Sequence, residues 1–476
     1  MTAAPAVPAA SAARNSVPRS KSLRSAFVFV WATWAIMVLI ALACIARYGR
    51  NIPLAEDWLM VPPMTGHEPN LASWLWAQNN EHRSPLSRLV LLGVLALTHD
   101  FRAGMALNVA TLSALAAGMI LTARYLRNGE TRASDAFFPI ALLHLGDWEN
   151  LVWAWQFQFV SSAALICALL LAIARQRGSP TLRQSIVAGV SLVLLPLTGA
   201  SGLVFAIALA PWTAWAGLTA RRSARARETS TASGSLLLTS AIVAPMLVAV
   251  YFIGYVKPWW NPPNPGRLQT LKTTLRFLTL AWGAGVRNAW TVSIIATVVL
   301  LALTMLLLMR ALVASVGDER QRAFGLLSFA GGCAVLALAI GWGRAATDMV
   351  SGMPMRYVLF AVPALCATYF IWELYAPAAP RYWLQVALCI AMILLLPWNT
   401  REGFGLPGRY DLGWRGWYVT GMNAVQQDID AGIPRLEMAN RHREFLMHWD
   451  EAKLAAGMRM LHDARIGPFS ALRDDR

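Results

Sequence analysis

The chain has 476 residues, of which 57% are hydrophobic, and its mean hydropathy is +0.47. Soluble domains contain about 45 to 50% apolar residues, so this composition excludes an ordinary soluble protein. The formal net charge of +16 belongs to the apolar part of the chain, because residues 399–476 contain eleven basic and eleven acidic residues. Basic loops beside a membrane fit the anionic cytoplasmic leaflet, and we therefore predict no nucleic-acid partner.

Residues 1–25 are rich in Ala, Pro and Ser and include four basic residues, and we predict a disordered basic cytoplasmic tail. The apolar run that follows is too long for the core of a signal peptide, so we interpret it as the first membrane span. The five cysteines lie in or at the ends of apolar segments. Their spacing indicates neither a zinc site nor a disulfide framework.

Apolar runs recur through residues 26–398, and most are close to the 20 or so residues that cross a hydrocarbon core of about 30 Å. We predict an all-α polytopic membrane domain with about eleven transmembrane helices. The predicted spans are 26–46, 103–123, 134–147, 153–174, 184–198, 202–219, 235–256, 289–309, 324–341, 356–373 and 382–398.

The charge of each loop predicts its side of the membrane. With the N-terminus in the cytoplasm, these spans place eighteen basic residues inside and twelve outside before residue 399, as the positive-inside rule favours. The shorter runs 86–97 and 271–280 are predicted to lie along the outer face as interfacial helices. Residues 399–476 then form a small periplasmic appendage on the outer loops, with helices predicted around 418–431 and 435–464.

Three acidic clusters fall in the predicted outer loops: Glu56-Asp57, Glu81-His82-Arg83 and Asp147-Trp148-Glu149-Asn150. Carboxylates are costly near lipid, so their concentration at one face indicates a functional site. A carboxylate beside an acceptor hydroxyl is a competent general base. Further acids can hold a divalent cation that neutralises a leaving phosphate, and arginines can do so without metal. The structural alternative is that these acids pair with arginines only to fix the loops.

These clusters, with Gln156 and a late Arg356-Tyr357 at the start of a span, resemble the GT-C superfamily of membrane glycosyltransferases. The resemblance is to uncharacterised bacterial members related to the aminoarabinose transferase and protein mannosyltransferase branches. It covers the first 160 residues through Glu56-Asp57-Trp58, Asn80-Glu81-His82-Arg83 and Trp148-Glu149-Asn150. Over residues 200–340 it is topological only.

The resemblance implies that the catalytic base lies in the pair Glu56-Asp57, without deciding which of the two it is. It implies that Glu149 or Asp147 is the acid of the second outer loop. A divalent cation on Glu81 and Glu149 stays open, because the second-loop acids do not form the Asp-x-Asp pattern. The remaining predicted substrate-binding residues are His82, Arg83, Asn150, Gln156, Arg356, Tyr357, Lys257 and Arg267, the last four at or near the lipid phosphate.

The predicted function is transfer of a sugar from a polyprenyl-phosphate donor to a hydroxyl or amine of a glycan, lipid or protein acceptor. The enzyme would lie in the bilayer of a bacterial inner membrane and act at its periplasmic face, and the resemblance implies an inverting single displacement. An O-antigen polymerase or ligase also uses outer-face arginines, but the early acidic pair argues against it. A transporter or flippase would carry charges inside its spans and paired broken helices.

Overall fold

The computed structural model describes residues 17–258, 261–405, 414–448 and 450–472. Regular structure in these ranges is helical, which confirms the predicted all-α class. Residues 1–16 of the predicted tail lie outside the described ranges, and the first helix begins at Val17. The α-helices in chain order are α1 (Val17–Tyr48), α2 (Val61–Met64), α3 (Leu71–Trp76), α4 (Pro85–Thr98), α5 (Phe101–Leu126), α6 (Phe137–Leu143), α7 (Trp148–Val152), α8 (Phe157–Ala174), α9 (Leu182–Leu194), α10 (Ala200–Ala226), α11 (Ala232–Tyr251), α12 (Arg267–Thr279), α13 (Trp290–Ala314), α14 (Gly317–Ser351), α15 (Val358–Tyr375), α16 (Ala378–Gly403), α17 (Trp414–Asp430), α18 (Arg435–His442) and α19 (Glu451–Asp463).

Nine helical segments in the described part of the chain are long and apolar enough to cross a membrane. Large apolar side chains on them face outward, as for Leu39, Val292 and Leu306, because lipid rather than water covers those faces. The chain is therefore a multi-pass membrane protein. The segments are Arg24–Tyr48, Phe101–Leu126, Ala154–Ala174, Ala200–Ala226, Ala232–Tyr251, Ala284–Ala314, Gly317–Ser351, Met355–Tyr375 and Ala378–Gly403.

The predicted span 134–147 is not among these nine, because its helix breaks. Every residue of α6 is buried, and the extended His144 separates it from α7. The chain from Asp135 to Trp153 still runs along most of α5. Asp135 pairs with Arg127 just beyond one end of α5, and Asn108, nearer the other end, donates to the Trp153 carbonyl. Irregular backbone at this depth is tolerated because protein surrounds it and satisfies its polar groups.

The predicted span 184–198 is also outside the nine. It forms α9 and the 3-10 turn Leu195–Leu197. At 1.5 Å per residue this stretch is about 24 Å long, which is shorter than a typical hydrocarbon core. The helix packs against α8, α10 and α11, so neighbouring spans cover part of its length.

The bundle has two chemically different ends. The end that we call the arginine-rich end holds a buried ion cluster, in which Asp135 accepts hydrogen bonds from Arg127 (2.5 Å) and Tyr369 (2.6 Å). Glu373 lies 3.4 Å from Arg381 in the same cluster. The opposite end, which we call the site end, carries the three acidic clusters. The positive-inside rule predicts that the arginine-rich end faces the cytoplasm.

The two predicted interfacial segments form the separate short helices α4 and α12 near the site end. Helix α12 is fixed to α14 by Asp348, whose Oδ2 accepts hydrogen bonds from Arg276 and Thr273, both at 2.9 Å. Asp348 is buried, so its carboxylate braces α12 against α14. That the two helices lie in the membrane interface stays a prediction.

Helix α16 continues past the predicted end of the last span at residue 398 and ends at Gly403. The residues that follow, 414–448 and 450–472, are called the C-terminal segment. It contains α17, α18 and α19, so the helix predicted over 435–464 is divided in two. The segment has its own apolar core, formed by residues such as Val425, Met438 and Leu454, and it packs against residues 50–58.

Candidate functional site

The acidic pair lies on a 3-10 turn, Ala55–Met60, that follows an extended Leu54. Ala55 has φ +48°, a left-handed conformation that residues other than glycine adopt rarely. The turn places the two carboxylates in different surroundings: Asp57 is 1% exposed, whereas Glu56 is partly exposed. The sequence left open which of the two is the base, and the geometry distinguishes them.

Asp57 is occupied by the backbone. Its Oδ1 accepts a hydrogen bond from the Trp155 N–H (2.8 Å) and its Oδ2 accepts one from the Leu54 N–H (3.3 Å). Burial raises the pKa of Asp57 to about 8, although both backbone bonds act in the opposite direction. Asp57 therefore joins the acidic turn to the chain at Trp155, and no substrate group is needed to satisfy it.

Glu56 faces the other charged residues of the site end. Its Oε1 accepts a hydrogen bond from Asn80 Nδ2 at 3.3 Å. Burial raises the pKa of Glu56, the positive charge of Arg356 lowers it, and the negative charges of Glu149 and Glu81 raise it. A carboxyl group with a raised pKa, close to several charged groups, is suited to proton transfer.

Arg356 is held in place by the second outer loop. Its Nη1 donates to Glu149 Oε2 at 2.7 Å, and its side chain remains 32% exposed. Asn150 donates both to the Arg356 carbonyl (2.9 Å) and to Asp147 Oδ1 (2.6 Å). Asp147 is buried, which raises its pKa well above the ordinary value. Glu149 thus orients the guanidinium, while Asn150 and Asp147 fix the backbone behind it.

A second arginine, Arg344, completes the site and was missed in the sequence analysis. Its Nη2 lies 2.8 Å from Glu81 Oε1, and its Nε donates to the Tyr357 hydroxyl at 2.7 Å. The Arg356 guanidinium lies 5.8 Å from the centre of the Tyr357 ring. Both guanidinium groups therefore border Tyr357. The available signal was the position of Arg344 directly after the predicted span 324–341, on the predicted outer face, because charged groups near lipid indicate a functional residue.

A cavity of about 190 Å³ opens beside Arg344. Its polar end is lined by Glu81, His82, Asn261, Arg344 and Tyr357, and Asn261 donates weakly to Glu81 at 3.4 Å. Gln158, Thr198 and Ser201 also line the cavity. Apolar side chains from α8, α10, α14 and α15 line most of the remainder: Phe159, Val204, Leu336, Ile340 and Phe360. This combination suits a ligand with a charged or polar head and an apolar chain.

His82 and Gln156 each present a buried atom without a hydrogen-bond partner in the described part of the chain. For His82 the atom is Nδ1, and the residue lines the cavity. Burial lowers the pKa of His82 to about 4, so the imidazole is neutral near pH 7 and can donate or accept a hydrogen bond. Gln156 Oε1 is buried outside the cavity lining, so Gln156 lies behind the site.

Three predicted substrate-binding residues are placed elsewhere. Arg83 is buried and donates to the carbonyls of Ile253 (3.1 Å) and Gly254 (3.0 Å), so it braces the loop after α11. Lys257 lines a separate open cleft, and Arg267 is exposed at the start of α12. The structure does not bring Lys257 or Arg267 to the cavity, and Arg344 takes the position that they were predicted to fill.

The divalent cation that the sequence analysis left open has no ready ligand set among the residues that the structure describes, where no group of three His, Cys, Asp or Glu side chains lies together. Glu81 and Glu149, the predicted ligands, are each paired with an arginine. A metal ion at either carboxylate would compete with that arginine. Metal dependence stays a prediction.

No protein-family model and no curated protein sequence matches this chain. A comparison with solved structures finds the crystal structure of ArnT from Cupriavidus metallidurans bound to undecaprenyl phosphate. The TM-score is 0.44 at 15% sequence identity, and the match covers 94% of this chain and 76% of that chain. This likeness is one of helical arrangement, and the chemistry of the site rests on the residues described above.

Proposed function

We propose that this protein transfers a sugar from a polyprenyl-phosphate donor to an acceptor hydroxyl or amine at the outer face of a bacterial inner membrane. The observation that carries the proposal is that Arg344 lines the cavity and donates to the Tyr357 hydroxyl, while the Arg356 guanidinium lies 5.8 Å from the centre of the Tyr357 ring. The positive charge of Arg356 acts on Glu56, and we assign Glu56 as the base.

Two guanidinium groups at a membrane face are suited to a phosphate. Guanidinium binds phosphate through paired N–H donors, and its charge stabilises the negative charge that develops on a leaving phosphate. The apolar wall of the cavity suits the first part of a prenyl chain. The rest of the chain would continue along the lipid-facing helices.

The chemical step needs one base and one stabilised leaving group. Glu56 removes the proton from the acceptor hydroxyl, and the acceptor oxygen attacks the anomeric carbon. The bond between that carbon and the phosphate oxygen breaks, and the leaving polyprenyl phosphate keeps the electron pair. Arg344 and Arg356 balance its charge, while Glu81 and Glu149 hold the two guanidinium groups in place.

The structure of the arginine-rich end argues against the alternative function, a transporter. A transport path would continue from the cavity to the arginine-rich end. There the buried ion cluster around Asp135 and Glu373 joins the end of α5 to α15 and α16. Its hydrogen bonds and ion pairs would have to open for passage. This arrangement favours a site that acts from one face.

Binding of undecaprenyl phosphate to purified protein tests the donor assignment. Arg344→Ala and Arg356→Ala should each weaken binding about tenfold to 100-fold, since a hydrogen bond to a charged group contributes about 1.5 to 3 kcal/mol. Arg102→Ala is the matched control, because Arg102 lies at the same end and pairs only locally with Asp100. Undecaprenol, which lacks the phosphate, should bind all four proteins equally weakly. Equal binding of the phosphate and the alcohol to the unmodified protein would refute the proposal.

A further inference from the structure

The acidic turn is held from two sides. On the bundle side, Asp57 accepts from the Trp155 N–H, and the Leu54 carbonyl accepts from Trp153 Nε1 at 3.0 Å. On the other side lies the C-terminal segment. Its Leu446 carbonyl accepts a 2.8 Å hydrogen bond from the backbone N–H of Ala55. The residue directly before Glu56 is therefore bonded to a residue almost 400 positions later in the chain.

That hydrogen bond is made by a residue in a rare backbone conformation. Ala55 has φ +48°, and such a conformation persists in a residue with a Cβ only when its surroundings enforce it. The Leu446 carbonyl is the backbone partner of the Ala55 N–H, and Met447 beside it is also left-handed, with φ +53°. Each of the two segments thus has a left-handed residue at or beside this contact.

Trp58 provides the second contact with the C-terminal segment. Its indole is 5% exposed and packs edge-on against Phe469, with ring centroids 5.8 Å apart, and against His448 at 6.4 Å. Gly457 of α19 lies flat against the same ring, because a Cβ added there would come within 3.1 Å of it. The residue at position 457 must therefore be very small for the indole to keep its place.

We propose that the C-terminal segment is a clamp that positions Glu56. The inference rests on the proposed function in one respect, namely that Glu56 is the base. Ala55 and Trp58 anchor the turn to the clamp, and Asp57 anchors it to the bundle. Glu56 lies between Ala55 and Asp57, so these two anchors set the direction of its side chain. Without the Leu446 acceptor, Ala55 would relax to an ordinary conformation, and the direction of Glu56 would change with it.

The clamp can be tested without any substrate. The five native cysteines are buried, so a cysteine introduced by Glu56→Cys is the principal target for a maleimide added to the purified protein. Adding Gly457→Leu, which pushes on Trp58, should change the labelling rate at position 56 about tenfold or more, because local opening exposes the turn. Ala456→Leu is the matched control, since Ala456 is the neighbouring residue of α19 and is exposed.

Two further controls separate the clamp from general unfolding. A cysteine from Lys257→Cys, exposed at the same end, should label at the same rate with Gly457→Leu as without it. Phe469→Leu, a milder change on the clamp side of Trp58, should alter position 56 in the same sense as Gly457→Leu. Unchanged labelling at position 56 in both variants would overturn the clamp, whatever the protein catalyses.

A transfer assay with Glu56 intact then distinguishes this inference from the proposed function. Gly457→Leu should lower turnover per folded molecule and leave binding of undecaprenyl phosphate unchanged, because Glu81, Tyr357 and Glu149, which hold Arg344 and Arg356, lie outside the clamp. If labelling at position 56 changes while turnover does not, the clamp stands and the assignment of Glu56 as the base fails. Equal loss of turnover in Ala456→Leu would instead show a general defect of α19 and would overturn the clamp.

Discussion

Replacing the two adjacent acids separately should have opposite consequences. Glu56→Gln removes the proposed base but keeps a side-chain oxygen that can accept from Asn80, so the fold should be nearly unaffected. Loss of a general base typically costs about 10² to 10⁴ in rate. We therefore expect turnover to fall by that factor while the unfolding temperature of the purified protein stays close to the original value.

Asp57→Asn should act mainly on stability. Both oxygens of Asp57 accept backbone N–H groups, at 2.8 and 3.3 Å. Asparagine offers one oxygen, and its amide nitrogen would face the other N–H. A buried donor left unsatisfied costs about 1 to 3 kcal/mol, so the unfolding temperature should fall, and turnover per folded molecule should fall much less than in Glu56→Gln.

The two measurements are turnover from a lipid-linked sugar donor, normalised to folded protein, and thermal unfolding in the same detergent. The reasoning would be refuted if Asp57→Asn lost activity at an unchanged unfolding temperature while Glu56→Gln remained active. That result would mean that Asp57 leaves its backbone partners during the reaction and is itself the base. Normal turnover in both variants would remove the acidic pair from the mechanism.

Three further predictions concern the charges around the base and the orientation of the chain. Because the base must be deprotonated, turnover should decline as the pH falls through the raised pKa of Glu56. Glu81→Gln removes a negative charge and should move this decline to lower pH, whereas Arg356→Ala removes a positive charge and should move it to higher pH. The pH dependence of kcat/KM measures both shifts. Arg344→Lys and Arg356→Lys should each raise the apparent constant for the lipid donor, because lysine keeps the charge but not the paired donors, and unchanged donor kinetics would mean that these arginines only anchor helices. A cysteine at Asp100 should react with a membrane-impermeant thiol reagent added from the periplasm and one at Asn128 should not; the reverse labelling would invert the orientation.

The sequence by itself determined the class of the protein and the chemical character of its two ends. Apolar runs long enough to cross a bilayer predict an all-α membrane protein, because backbone polar groups in lipid must be satisfied within the same segment. Charge then orients the loops, since basic residues are in excess on one side, eighteen against twelve, and the three acidic clusters lie on the other. The candidate residues Glu56, Glu81, Glu149 and Arg356 could be identified in this way because charged groups near lipid have few structural uses.

What the sequence could not determine was the direction of individual side chains. Glu56 and Asp57 are adjacent acids, and only the left-handed Ala55 and the backbone partners of Asp57 show that one faces the site and the other the bundle. Residues 134–147 have the composition of a span, but burial inside the protein allows their helix to break.

Long-range packing likewise decided which distant residues join the site. Arg344 joins the site because the packing of α14 beside α15 brings it to Tyr357, and because the first outer loop brings Glu81 to the same place. Nothing in the sequence around Arg344 indicates either partner. The contact between Ala55 and Leu446 has the same origin. Local patterns predict helices and charged ends because those depend on neighbours in sequence. The site depends on which helices pack together, and this is a property of the whole bundle.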